Sequence, residues 1–176
     1  SFNISREMLQ NNPVINKIKK AITSKVLSEL ISFSNKEKES YLNFWKNFGA
    51  VIKEGLYEMN DFHDKILPLL RFQTSESSDE LISLDYYLDN IKDSQKEIYY
   101  FANTDKDHIK NSPQLETFIE NKIPVLFMTD AVDEFWLQNI RKYKEFEFKS
   151  ISKGKVDISN LGIKQKDKKE SSKKIN

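Results

Sequence analysis

The sequence predicts an α/β chain in which an N-terminal helical connector, a helical hairpin plus a third helix, is followed by a small three-layer α-β-α unit with a mainly parallel sheet. Three observations predict it. Ahead of Leu69 the apolar residues recur at three-to-four spacing, the period of a helix with one buried face. Beyond Gln95 short β-rich runs alternate with helical ones, and strands separated by helices imply parallel pairing through crossover connections. Between them the stretch from Leu69 to Tyr100 mixes both patterns and joins the halves. The 176 residues suffice for one ordinary domain or two small ones sharing an interface. The expected boundaries are 1–12 for an opening loop, 13–94 for the connector, 95–152 for the α/β unit and 153–176 for a charged flexible linker.

The elements follow in order. Asn3 to Gln10 reads as a short turn of helix with Ser5 as its cap, and Asn12-Pro13 restarts a helix, because proline at a first helical position loses no hydrogen bond. Ile15, Ile18, Ile22, Val26 and Leu30 then form one apolar stripe, which needs a partner to be buried. After a polar turn from Ser34 to Lys38, Tyr41, Phe44, Trp45, Phe48, Ile52 and Leu56 form a second, aromatic stripe, so a helical hairpin is the economical pairing. A third helical run covers Phe62 to Leu70. In the joint, Ser83 is placed to cap a helix over Leu84 to Ile91.

In the second half, Gln95 to Phe101 reads as a strand, Thr104 to Lys110 as a short helix, and Ser112-Pro113 as the start of another helix with Leu115, Phe118 and Ile119 on its inner face. Pro124 to Met128 is a continuous apolar run, the pattern of a central strand covered on both sides. Thr129-Asp130 leads into a helix over Val132 to Ile140, and Phe146 to Ile151 alternates as a further strand.

Composition excludes more chemistry than it assigns. Charged residues make up 31% of the chain at a formal net charge of +1, which gives no general bias toward nucleic acid or anionic membrane. The absence of cysteine removes disulfides, thiolate metal sites and cysteine nucleophiles, and fits a reducing, cytoplasmic setting. The longest apolar run, Ile123 to Met128, is too short to cross a bilayer, and no signal-peptide pattern opens the chain. The abrupt start at Ser1-Phe2 reads as that of a cut fragment.

Four glycines without a cluster leave neither a dinucleotide fingerprint nor a phosphate loop. His63 and His108 are isolated, so no metal site is expected. Asp130, Asp133 and Glu134 sit where a helix starts and are expected to cap it. Phe135 and Trp136 point in different directions on that helix. Either one ring is exposed, as an interaction surface, or both are buried between the two halves. The basic tail beyond Gly162 carries no interleaved aromatics and reads as a solvated linker.

The ordered run Leu69-Leu70-Arg71-Phe72, Thr74-Ser75, Ser78-Asp79-Glu80, Ser83-Leu84, Tyr86-Tyr87, Gln95-Lys96 and Ile98-Tyr99-Tyr100 resembles the middle segment of the heat shock protein 90 chaperone family, in its bacterial form. The likeness continues through Asn111-Ser112-Pro113-Gln114-Leu115-Glu116 and Val125-Leu126-Phe127-Met128-Thr129-Asp130. It departs at Glu76, where a lysine is expected, at Lys92, and at Ala102-Asn103-Thr104-Asp105, and it fades from Lys153.

The resemblance implies that Asn3 to Gln10 is the remnant of a catalytic loop. Arg6 would reach the terminal phosphate of ATP, held with magnesium by a separate N-terminal domain, and Gln10 would assist. It further implies a client-protein surface around Glu134, Phe135, Trp136 and Gln138. The intact protein would be a homodimeric ATPase with a C-terminal dimerisation domain, while the fragment would hold no cofactor and bind neither nucleic acid nor membrane. The rival reading is a self-contained protein-interaction module with no ATP role. A small α/β enzyme is the weakest reading, since no nucleophile, metal cluster or phosphate loop is present.

Overall fold

The computed structural model describes residues 6, 8, 11–77, 79–153, 156 and 158. Helix α1 spans Pro13–Lys36 and α2 spans Lys38–Glu58. The Asn12 side chain accepts from the backbone N–H of Val14 at 2.9 Å, which satisfies one of the unpaired donors that open α1. The expected turn from Ser34 to Lys38 contracts to one non-helical residue, Glu37, whose N–H donates to Phe33 O at 2.9 Å while its C=O accepts from Tyr41. The hairpin is therefore tight, and Phe33 meets Tyr41 edge to face with centroids 5.6 Å apart.

The two stripes fare differently. On α2, Tyr41, Trp45 and Leu56 enter the core, Phe44 and Ile52 are half-buried, and Phe48 is exposed but stacked on Phe44. Gly49 is required here, because a Cβ at this position would stand 2.7 Å from the Trp45 ring. On α1 the expected stripe is not buried: Ile15, Ile18, Ile22 and Val26 are exposed, and Leu30 alone of the five is half-buried. The physical reason is a rotation of α1 that turns Ser24, Leu27, Ile31 and Ser34 inward. Lys65 donates to Ser24 Oγ at 2.6 Å, and the Ser34 hydroxyl donates to Ile31 O at 2.9 Å, so polar groups on the inner line are satisfied. Every residue from Pro13 to Ile22 is exposed, so this part of α1 projects beyond the elements it packs against.

The third helical run breaks into three pieces: a 3-10 turn at Asn60–Phe62, α3 at His63–Ile66 and a second 3-10 turn at Leu67–Leu69. Pro68 lacks the N–H that a continuing α-helix needs. The end of this run is held from the hairpin, where the Tyr41 hydroxyl donates to Leu69 O at 2.6 Å and the Arg71 guanidinium lies 4.7 Å from the Tyr41 ring centroid. Burial pushes the Tyr41 phenol up to about 12, so it stays a donor throughout the neutral range.

The chain then builds β1 (Gln73–Thr74), α4 (Leu84–Asp89), β2 (Glu97–Ala102), α5 (Lys106–Lys110), α6 (Pro113–Glu120), β3 (Leu126–Met128), α7 (Ala131–Asn139), β4 (Lys142–Tyr143) and β5 (Phe146–Ser150). The strands form one five-stranded sheet in the order β1-β3-β2-β5-β4. Its centre is parallel as expected, with Tyr100 facing Leu126 on one side of β2 and Ile98 facing Phe148 on the other. Its two edges are antiparallel additions of two residues each, with Gln73 opposite Phe127 and Tyr143 opposite Phe146. The sheet is thus mixed, and one edge strand comes from the joint that precedes Gln95.

Strand order dictates the layers. The step from β2 to β3 moves one way across the sheet and the return to β5 moves the other, so right-handed crossovers place α5 and α6 on one face and α7 on the opposite face. The core follows that division. Ile98, Leu126 and Met128 point to the face shared by α7 and the connector, while Tyr99, Phe101 and Phe127 point to the face covered by Ile109, Leu115 and Phe118. Ile158 is buried in this second cluster. Tyr87 ties α4 to the sheet: its hydroxyl donates to Pro124 O at 2.7 Å and accepts from the Tyr99 N–H at 3.1 Å.

Candidate functional site

Asp133 and Trp136 lie on the inner line of α7 and Ile140 follows its last residue, and all three are buried. Glu134, Phe135 and Gln138 fall within about 100° of arc on the outer side and are exposed. The ambiguity between the two rings is therefore resolved by helical geometry. Phe135 is 55% exposed and Trp136 is 0% exposed. Trp136 packs edge to face on Phe148 at 5.5 Å, and its indole N–H donates to Asp133 Oδ1 at 2.9 Å. Expected as part of the client surface, Trp136 is corrected to a buried support for the helix that carries Phe135.

The start of α7 is bound to α2 by charge. Lys53 Nζ donates to Asp130 Oδ2 at 2.7 Å and to Asp133 Oδ2 at 2.9 Å, and lies 4.9 Å from the Phe72 ring centroid. Asp133 Oδ2 also accepts from the Asp130 N–H at 3.1 Å, which fulfils the expected capping role of the carboxylate pair. Burial pushes the Asp133 carboxyl above its usual range, and the Lys53 ammonium opposes that shift. An ammonium, two carboxylates and an indole N–H thus form one network across the boundary between connector and α/β unit.

One turn beyond Lys53, the Tyr57 ring meets Phe135 edge to face at 6.4 Å. Neither Lys53 nor Tyr57 was singled out from the sequence. Lys53 did carry a local signal, since it falls four residues after Gly49 and three before Leu56, on the face that the aromatic stripe buries. Tyr57 had none.

Arg6 is helical and solvent-exposed ahead of α1. Gln10 lies outside the described residues, as do Asn3, Ile4, Ser5, Glu7 and Leu9. The structure does not gather the two predicted residue sets on one element: Arg6 precedes α1, whereas Glu134, Phe135 and Gln138 belong to α7. Among the described residues no group of three or more His, Asp or Glu side chains is arranged to hold a metal ion. His63 Nε2 donates to Leu56 O at 2.8 Å, and the His108 ring meets Phe101. A polar depression of about 490 Å³ at α5 and α6 is lined by Asp105, Asp107 and Gln114, and its carboxylates disfavour a phosphate ligand.

Three comparisons frame these features. A family model described as Hsp90 protein matches residues 1–176. The chain is 44% identical over 164 residues to the chaperone protein HtpG of Orientia tsutsugamushi (strain Boryong), covering 93% of this chain and 26% of that protein. It is 45% identical over 166 residues to the chaperone protein HtpG of Roseobacter denitrificans, covering 94% and 27%. The chain therefore spans about a quarter of the length of the curated relatives it matches. Among solved structures, the middle domain of a Plasmodium falciparum heat shock protein superposes with a TM-score of 0.73 at 31% identity, over 82% of this chain and 61% of that one.

Proposed function

The chain belongs to the Hsp90 protein family, and on that premise we propose that it is the C-terminal part of the middle segment of an ATP-dependent chaperone. In this reading Arg6 meets the terminal phosphate of ATP bound with magnesium in a separate N-terminal domain, and Gln10 assists from the same loop. A guanidinium suits that role because it is permanently charged, planar and able to donate two parallel hydrogen bonds to phosphate oxygens. ATP supplies the phosphoryl group. Arg6 offsets the negative charge that develops on it, and an arginine provided in this way raises turnover by roughly 10³–10⁵-fold.

The outer face of α7, with Glu134, Phe135 and Gln138, holds client proteins, and Trp136 and Asp133 fix that face from beneath. The intact protein is a cytoplasmic homodimer joined through a C-terminal dimerisation domain. Its partners are its own flanking domains and its clients, with no role for nucleic acid or membrane. No helix among the described residues is long and apolar enough to cross a membrane.

The observation that carries the proposal is the exposure of Arg6 ahead of α1, which is what contact with a separate domain requires. Arg6→Ala in the intact protein should lower ATP hydrolysis by at least about 100-fold while nucleotide affinity changes by less than about threefold. Hydrolysis at the parental rate would remove the arginine from the mechanism. Adding the family's N-terminal domain to this chain in trans should raise hydrolysis above that of the domain alone. No stimulation would favour the self-contained interaction module.

A further inference from the structure

We propose that Tyr57 and Phe135 form a single aromatic patch across the junction of α2 and α7, and that its acidic rim selects polypeptide segments in which Lys or Arg stand beside apolar residues. This inference rests on the client-holding reading of α7 and deepens it by naming a further binding residue and the chemistry of the segment held.

The first observation is the pair itself. Tyr57 is 59% exposed and Phe135 is 55% exposed, yet their rings meet at 6.4 Å with an interplanar angle of 69°. They come from helices far apart in sequence. Lone exposed aromatics are ordinary, but two that touch across a packed junction present a continuous apolar area to solvent. Aromatic rings also contribute contact area with little rotamer freedom to lose.

The second observation is charge. Glu54 lies three residues before Tyr57 and therefore neighbours it on the helix surface, while Glu58 and Glu134 are each set about 100° round the helix from Tyr57 and Phe135. All three are exposed. Neither α2 nor α7 carries a basic residue in its last turn. Lys53, the cation one turn before Tyr57, is only 3% exposed and is already paired with Asp130 and Asp133. The rim is negative although the chain as a whole has a formal net charge of +1.

That sign disfavours anionic ligands and fits a cationic one. An Arg or Lys side chain laid on the patch places its aliphatic stem against the rings and its charged head over a ring face or beside a carboxylate. An extended, incompletely folded polypeptide offers such side chains together with apolar ones.

The third observation is rigidity. The Lys53 network fixes α7 against α2 one turn away from the ring contact, so the patch is set before anything binds.

The test uses the whole chain and three sets of extended peptides that share one apolar sequence and differ in their interspersed residues: Arg and Lys, Asp and Glu, or Ser and Gln. Fluorescence anisotropy should show the basic set binding at least about tenfold tighter than the acidic set, with the advantage shrinking as salt rises. Tyr57→Ala and Phe135→Ala should each weaken the basic set by about tenfold, and the double variant should lose less than the product of the two. Circular dichroism of these surface variants, together with Tyr57→Phe retaining affinity, separates lost contact from lost fold. Glu54→Gln with Glu58→Gln should reduce the charge preference, with Glu134 supplying what remains, while leaving the Ser and Gln set unchanged.

Equal binding of basic and acidic sets would overturn the inference. Loss on Phe135→Ala with none on Tyr57→Ala would also overturn it, and would leave a client surface confined to α7. Failure of every peptide set to bind would overturn both the inference and the client-holding reading beneath it.

Discussion

Helices α1 and α2 stand side by side in one hairpin and carry apolar stripes of similar length, yet α2 spends its stripe on the core while much of α1 leaves its own in solvent. The contrast teaches that helical periodicity identifies a face suited to burial and not the neighbour that buries it. On α2, Tyr41, Trp45 and Leu56 find the sheet-side cluster through Phe72, Leu126 and Met128. On α1, the inward line is Ser24, Leu27, Ile31 and Ser34, and the isoleucines at 15, 18 and 22 face away. Most helical stability in a folded protein comes from packing one face against a partner, so α1 depends on the inward line that it buries. The two helices also differ in where charge is placed. Lys53 of α2 is buried in a network, whereas Lys20 and Lys25 of α1 pair with Asp61 and Glu29 in solvent, where such pairs contribute little.

The sharpest way to break that comparison is Lys53→Met. It leaves Asp133 buried without its ammonium, and removing one partner of a buried pair costs about 3–5 kcal/mol. The cost should depend on pH in a defined direction. Burial raises the Asp133 carboxyl on folding, so its contribution to stability is present at pH values below its unfolded range and is lost as pH rises through its folded value. Loss of Lys53 raises that carboxyl further. The deficit of Lys53→Met against the parent should therefore be largest near neutrality and narrow as the solution is acidified and Asp133 takes up a proton. Denaturant midpoints at neutral and mildly acid pH check this, and a deficit independent of pH would mean that the loss is one of packing alone.

Leu56→Ala comes next. Leu56 is fully buried in the cluster shared with Ile66 and Leu69, and truncation of such a leucine costs about 2–5 kcal/mol through lost transfer energy and the cavity left behind. Unlike Lys53→Met, its cost should not change across the carboxylate range. The same denaturation series distinguishes the two.

The sequence carried the centre of this fold and lost its margins. Pro124 to Met128 was legible as a strand because a continuous apolar run fits a position covered on both faces, and Asn12-Pro13 and Ser83 were legible as helix starts because capping is a local matter. The edge strands Gln73–Thr74 and Lys142–Tyr143 were not, since two residues hold no periodicity and their pairing is decided by strands far along the chain. The α7 surface was half legible. The 100° step between neighbours separated Phe135 from Trp136 but did not say which faced out, because that depends on which side of α7 packs on the sheet and on α2, elements distant in sequence. Arg6 stands out through resemblance alone, because exposure by itself does not distinguish it from any solvated arginine.

The smallest expected effect tests the other side of the comparison. Ile18 is 52% exposed, and serine and isoleucine differ little in helix propensity, so Ile18→Ser should change the unfolding free energy of this chain by less than about 0.5 kcal/mol. Sedimentation should show the variant to be no more self-associating than the parent, since the change removes exposed apolar area. The value of so small an effect lies in its contrast with Leu56→Ala. Both substitutions remove a large aliphatic side chain from a helical stripe, and on periodicity alone they should cost alike. A cost for Ile18→Ser approaching that of Leu56→Ala would mean that α1 buries its isoleucines in solution. The two helices would then be equivalent, and the distinction drawn between them would fail.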